Sequence, residues 1–307
     1  MKHLLVVLIF SCFVIPLSSV KASNESNQSG ELYVHFINVG QADCILIQTP
    51  QHKNILIDSG SAKTQKRALA YFHALNIESF DAVIATHPHH DHIGAMAAIM
   101  GNFYVKAFYM PDVYHYTRAF KALYDSAKRR GVMVFKAKAG SKIDVEPDVK
   151  MAIIAPLQEH HAHLNDDSFV LRLLHNKNSF LFMSDAGKQS EAELLENKSD
   201  VKADVIKIGH HGGASSTTLP FLKKVNPEAA VITSGHRSIV GYPSQSVIKR
   251  LRYLRVPIYR TDVHGTIVAD SDGSRITFSF GGLKARERMP IKNPKKGLMK
   301  KFERVTL

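Results

Sequence analysis

Three apolar runs of strand length in this chain each break off on side chains that ligate metals. "DAVIAT" (81–86) gives way to His87, His89, His90, Asp91 and His92; "FLFMSDA" (180–186) closes on Asp185; "DVIKIG" (204–209) is followed by His210 and His211. A short continuous apolar run bounded by turn signals reads as a buried strand. In open α/β sheets, ligands bind in the crevice beyond the carboxyl ends of such strands. A His-rich turn arising by chance would need no partners elsewhere, whereas here the same strand-to-donor boundary recurs three times.

Around these runs the pattern alternates between strands and helices. "LYVHFINVG", "ADCILIQT" and "NILIDSG" read as strands. "TQKRALAYFHALNI" has helical spacing, "AMAAIM" follows as a helix and "VKAFYM" as a strand. A helix over "HYTRAFKALYDSAKRRG" closes at Gly131, before strands "VMVFKA" and "VKMAIIAP". The second half continues with strands "SFVLRLLH" and "SFLFMSDA", helix "SEAELLEN", strand "ADVIKIGHHGG", helix "LPFLKKV" and strand "AAVITSG". Helix "SQSVIKRLRYL", strand "PIYRT" and a hairpin from "GTIVAD" to "RITFSF" across Asp272-Gly273 complete it. Two comparable α/β halves predict two sheets packed between helices.

The ends are organised differently. Residues 1–22, with Lys2 and His3 before an apolar stretch broken by Pro16 and serines, read as a secretory signal peptide cut after Val20-Lys21-Ala22. Pro16 and the shortness of the run argue against a membrane anchor, and the bulky Phe10 makes the segment before Cys12 a poor lipoprotein signal. Cleavage would leave Cys44 alone, so no intrachain disulfide would support the exported domain. A polar linker (23–30) leads into a domain expected over 31–281, and a basic tail (282–307) follows. From Gly281 onward nine Lys or Arg stand against Glu287 and Glu303, about half of the net charge of +13. Such a tail serves either solubility or attraction to an anionic partner.

His87 and His89 are spaced to reach one metal ion, and Asp91 and His92 a second. Neutral imidazoles with carboxylates suit zinc, with manganese or iron as the other candidates. Asp185 at a strand exit can bridge two ions about 3.5–4 Å apart. Period-two alternation does not choose between His210 and His211, because the strand is expected to end at Gly209. Asp58 is either a turn-forming residue or a hydrogen-bond partner of a ligand histidine. Ser215, Ser216 and Thr217 are read as helix N-cap residues ahead of a phosphate-binding turn. Cys44 reads as a buried core residue.

"THPHHDHIGA" resembles the HxHxDH signature of the metallo-β-lactamase superfamily. "FINVGQADCILI", "NILIDSG", "NDDSFVLRL", "FLFMSDA", "ADVIKIGHHGGASS", "AAVITSG" and "YRTDVHGTI", in that order, resemble the branch containing the C-terminal domain of ComEC competence proteins. The resemblance spans residue 32 to about 280. It implies a four-layer αββα sandwich holding two divalent metal ions, zinc first and manganese second, and hydrolase activity often directed at phosphodiesters. Carried over by motif, His87, His89 and Asp185 hold the first ion. Asp91, His92, Asp185 and one of His210 or His211 hold the second, the other histidine donating to substrate. Asp91, His211 and Tyr242 are the candidate catalytic residues.

Two positions depart from the pattern. Where many relatives place a third histidine for the first ion, "EHHAHLNDDSF" offers Asn165 or Asp166, with His160, His161 and His163 upstream; His163 is expected to be a loop residue. In "SIVGYPS", Tyr242 replaces a histidine common in ComEC-like domains; its hydroxyl donates but is a weak acid-base group near neutrality. The resemblance implies a secreted or envelope-associated phosphodiesterase or nuclease that uses metal-activated water. Its substrate would be anionic, DNA or a cell-wall phosphopolymer, with no protein partner implied and no integral membrane domain after signal cleavage. A hydrolase of another ester, lactone or β-lactam is the alternative, as is a degenerate, non-catalytic polyanion-binding domain.

Overall fold

The computed structural model describes residues 30–281, except 114, 159–160, 237 and 239–240, together with 289–290. The expected signal peptide lies outside the described residues, as does all of the linker but Gly30 and all of the tail but 289–290.

Strand alternation builds a three-layered core. In the first half Ile45 and Ile47, Ile55 and Ile57, and Ala82 and Ile84 point to one face. Leu46, Leu56 and Val83 point to the other, where they meet Ala68, Phe72, Met96 and Phe120 from the helices. In the second half Phe180, Phe182, Val205, Ala229 and Val231 share the first cluster with those isoleucines. Leu181, Ile206, Ala230 and Ile232 face the outer helices beside Leu194, Phe221 and Leu251. One apolar layer therefore lies between the sheets and one outside each, which is the αββα sandwich. Each fully buried Leu, Ile or Phe contributes about 1.5–3 kcal/mol.

The nine-stranded sheet runs, edge to edge, through Met289–Pro290, Ile276–Phe280, Ile267–Ser271, Leu32–Phe36, Ile45–Gln48, Asn54–Ile57, Ala82–Ile84, Ala107–Pro111 and Met133–Ala137. The seven-stranded sheet runs through Ile258–Arg260, Ala229–Ile232, Val205–Lys207, Asn178–Phe182, Val170–His175, Val149–Ala155 and Lys142–Glu146. Each sheet begins as an antiparallel meander and turns parallel, at Asn54–Ile57 with Ala82–Ile84 in one and at Asn178–Phe182 with Val205–Lys207 in the other. The parallel strands bring their carboxyl ends to one rim of the sandwich.

Three local features differ from the sequence reading. Lys142–Glu146, whose Ile143 and Val145 alternate with polar residues, forms an edge strand that the sequence reading passes over, and Ser79–Phe80 pairs with Tyr104–Val105 in a separate two-stranded ribbon too short for a clear period. The strand expected to reach Gly209 ends at Lys207. Gly209–Gly212 then forms a 3₁₀ turn in which His210 (φ 48°) and His211 (φ 50°) both adopt left-handed backbone. Among the described residues no helix is long and apolar enough to cross a membrane.

Candidate metal centre

Four strand ends feed the rim. Asn54–Ile57 runs into Asp58, Ala82–Ile84 into His87, Asn178–Phe182 into Asp185 and Val205–Lys207 into His211. Asp58 (φ 55°) and Ser184 (φ 47°), like the two histidines after Lys207, are left-handed. That conformation costs a non-glycine residue about 1–2 kcal/mol, and such strain concentrates where side chains must be aimed.

Two donor groups result, and Asp185 belongs to both. His87, His89 and Asp185 form one; Asp91, His92, Asp185 and His211 form the other. Asp185 Oδ2 lies 3.3 Å from His92 Nε2 and 3.8 Å from His87 Nε2, while Oδ1 lies 3.6 Å from His211 Nε2. His211 Nε2 and His92 Nε2 stand 3.4 and 4.0 Å from Asp91 Oδ2. His87 Nε2 and His89 Nδ1 approach to 2.9 Å. Donors bonded to one ion at about 2.0–2.2 Å keep spacings of this order.

The backbone and carboxylates behind the site fix the imidazole tautomers. His92 Nδ1 donates to Asp58 Oδ2 at 2.7 Å, and Thr86 fills the rest of that carboxylate through its N–H (2.9 Å) and hydroxyl (2.7 Å). His211 Nδ1 donates to the Thr233 carbonyl at 2.9 Å. Both Nε2 atoms are thus turned inward as lone-pair donors when the rings are neutral. These two Nε2 atoms and Asp185 Oδ1 are buried without a hydrogen-bond partner among the described residues. Orphaned buried polar atoms that converge are costly unless a ligand satisfies them, and an oxygen-and-nitrogen set of this kind fits divalent zinc or manganese. A third donor group, Asp43, Asp58 and His92, fits less well, because Asp58 is already saturated by Thr86 and His92.

Charge in the site is tightly linked. Burial alone would raise the Asp185 carboxyl, but the charges of His92 and His211 hold it well below the usual range. Burial alone would lower the two histidines, yet Asp185 and Asp58 lift His92 well above its ordinary value, and Asp185 and Asp43 lift His211 to about 9. His87 is pushed the other way, by burial and by the neighbouring His92.

The remaining candidates fall around the opening. His211 joins the donor group, whereas His210 is partly exposed, with Nε2 3.9 Å from Asp185 Oδ2. Asn165 Nδ2 donates to His210 Nε2 at 3.2 Å, and Asn165 Oδ1 is buried without a partner among the described residues. The Tyr242 ring meets the His210 ring edge-on at 5.2 Å. His163 is exposed, while His161 is locked between Asp167 (2.6 Å) and Glu193 (2.7 Å); His160 lies outside the described residues. Cys44 is buried, and burial pushes its thiol up.

One reading is corrected. Ser215–Thr217 neither cap the following helix nor frame a phosphate turn. Thr218 holds the N-cap position, and the Glu191 carboxylate accepts from the Thr217 and Thr218 N–H groups, so a protein anion already fills that helix end. Ser216 Oγ instead donates to the Gly209 carbonyl. Sequence reasoning does not single out Asp43 or Lys207, which pack behind the donor groups. The one available signal was a lysine inside an otherwise apolar strand.

A family model described as the Metallo-beta-lactamase superfamily matches residues 37–236. The chain belongs to the metallo-β-lactamase superfamily. It is 28% identical over 256 residues to ComE operon protein 3 of Bacillus subtilis (strain 168), covering 78% of this chain and 33% of that protein. It is 24% identical over 268 residues to Competence protein ComA of Neisseria gonorrhoeae, covering 85% of this chain and 34% of that one. The chain thus spans about a third of the length of these relatives. Among solved structures, CmlA, a diiron beta-hydroxylase from Streptomyces venezuelae, superposes with a TM-score of 0.50 at 14% identity, over 75% of this chain and 53% of that one. That likeness shows the shared fold. Superfamily membership and the convergent donors together make this chain a metal-dependent hydrolase.

Proposed function

We propose that the protein is a phosphodiesterase or nuclease acting outside the cytoplasm on an anionic polymer such as DNA. The observation that carries the hydrolytic reading is the Asp185 carboxylate shared by both donor groups: its Oδ2 lies 3.8 Å from His87 Nε2 and 3.3 Å from His92 Nε2, and its Oδ1 3.6 Å from His211 Nε2. Two divalent ions, when bound, act as Lewis acids and bring the pKa of water to about 7. His87, His89 and Asp185 would hold one ion, and Asp91, His92, Asp185 and His211 the other.

The chain's other residues account for the rest of the chemistry. Asp91 is the most exposed of the site's acids; although burial opposes it, hydrogen bonding and charge from His211 and His92 keep it ionised, as a ligand of the second ion must be. Burial lowers His210, so its ring stays neutral. Burial and the Asp185 charge raise the Tyr242 phenol, so it remains an O–H donor. The Asn165 amide and the Tyr242 hydroxyl, beside the neutral His210 ring, therefore gather uncharged hydrogen-bond donors at the opening, suited to orienting phosphate oxygens. The choice of phosphodiester is supported by the likeness to the two competence proteins and by the net charge of +13. The leader-like residues 1–22 support export.

The test is an assay of the purified, zinc- or manganese-supplemented protein on bis-p-nitrophenyl phosphate, single-stranded DNA and nitrocefin. Turnover of the two phosphodiesters, reduced to background in Asp185→Ala, is expected. Preference for nitrocefin would overturn the substrate class, and full activity in Asp185→Ala would overturn the site.

A further inference from the structure

Among the described residues Lys207 is the only buried lysine, 1% exposed, and its ammonium lies behind the donor groups, against Asp43 and the Ser184 carbonyl. It lies on the strand Val205–Lys207, on the same face as Val205, and so points between the two sheets. There it makes a short ion pair with Asp43 Oδ2, across 164 positions of sequence, and donates to the Ser184 carbonyl at 2.8 Å. Burying a cation this completely is unfavourable unless it is paired, and an apolar pair of similar volume would stabilise the fold as well or better. Packing alone does not account for it.

Both partners of the ammonium lead to the donor set. Asp43 stands 3.4 Å from His211 Nδ1 through Oδ1 and 3.9 Å from His92 Nδ1 through Oδ2. Its Oδ1 also accepts the Thr233 hydroxyl, and its N–H donates to the Asp91 carbonyl at 3.3 Å. Ser184 immediately precedes Asp185, and its hydroxyl contacts the Thr86 hydroxyl at 2.6 Å. One ammonium thus fixes a carboxylate from the nine-stranded half and a carbonyl from the seven-stranded half.

We propose that Lys207 is a positioning residue: an internal cation that anchors Asp43 and the Ser184 carbonyl so that His92, His211 and Asp185 are aimed at one ion. The assignment rests on the two-ion reading of the site. It opposes the simplest electrostatic expectation, in which a nearby positive charge merely repels metal and its removal tightens binding. The ammonium is neutralised by Asp43, so its loss is felt as misdirected imidazoles.

The experiment is a zinc titration of the full chain against a chromogenic chelator, comparing wild type, Lys207→Met and the double variant Asp43→Asn/Lys207→Met, with thermal unfolding as a fold check. Wild type is expected to bind two equivalents. In Lys207→Met the equivalent held by Asp91, His92, Asp185 and His211 should weaken about 10–100-fold, the usual effect of losing a group that orients ligands, while the equivalent held by His87, His89 and Asp185, which shares only one of the misaimed ligands, weakens less. Should Lys207→Met fail to fold, the double variant, which leaves no unpaired buried charge, is judged by the same criterion. Unchanged affinity for both equivalents, tighter binding, or equal weakening of both would overturn the assignment. A wild-type chain that binds no zinc would instead overturn the two-ion reading.

Discussion

Aspartate 58 shows how one residue can meet two demands. Its left-handed backbone turns the chain at the end of Asn54–Ile57, and its carboxylate receives His92 Nδ1 and both polar groups of Thr86. The two sequence readings of this position, turn residue and partner of a ligand histidine, are both realised in its geometry. Replacing the carboxylate by an amide in Asp58→Asn keeps the shape and removes the charge that fixes the His92 tautomer. Zinc affinity should fall about 10–100-fold, as read by chelator competition, and stability by about 1–3 kcal/mol, because the amide NH2 then faces a buried donor. Wild-type affinity in that variant would mean that His92 is oriented by something else.

At the scale of elements, the short helix His90–Ile93 carries Asp91 and His92 and must lie close to the turn after Asp58. Gly94 makes that approach. A Cβ there would sit 2.3 Å from the His90 carbonyl oxygen, 2.6 Å from Ala62 N and 2.9 Å from Ser61 Cα, all backbone atoms. Gly94→Ala should therefore cost about 1–3 kcal/mol through forced backbone shifts and weaken metal binding at the same time. Urea unfolding measures the first effect, and a wild-type midpoint would show that the turn yields freely. The His161 bridge acts on another pair of elements, tying the segment before Asn165 to the helix Lys188–Glu196 that follows Asp185.

For the whole molecule, two histidines outside the donor groups, the buried His35 and the half-buried His161, give stability opposite dependences on pH. Burial beside Tyr71 lowers His35 from 6.5 to about 4. The unfolded chain takes up that proton first as pH falls, so His35 contributes up to about 3 kcal/mol above 6.5, lost between 6.5 and 4. His161 is raised: burial would lower it, but hydrogen bonds to Asp167 and Glu193 outweigh that effect. Its contribution is complete below 6.5 and disappears as pH rises through the raised value. His161→Gln should therefore lose more stability relative to wild type at pH 6 than at pH 9. A His35→Phe variant should resist acid better than wild type between pH 6.5 and 4. Denaturant midpoints across pH check both, and parallel pH curves for wild type and His161→Gln would contradict the bridge.

Much of this was legible along the chain. Alternation within "CILI", "ILI" and "FLFM" sets which side chains face each layer, because side-chain direction in a strand is a local property with period two. The donor types at 87–92, 185 and 210–211 follow from residue identity alone. Convergence is not local, and only the tertiary structure decided it. His211 rather than His210 enters the donor group because the strand stops at Lys207 and both histidines take left-handed backbone, where alternation no longer applies. Glu191 occupies the helix end that the serines were expected to shape. The pairing of Lys207 with Asp43 joins positions 164 residues apart. No spacing rule encodes that contact, because packing the two sheets face to face creates it.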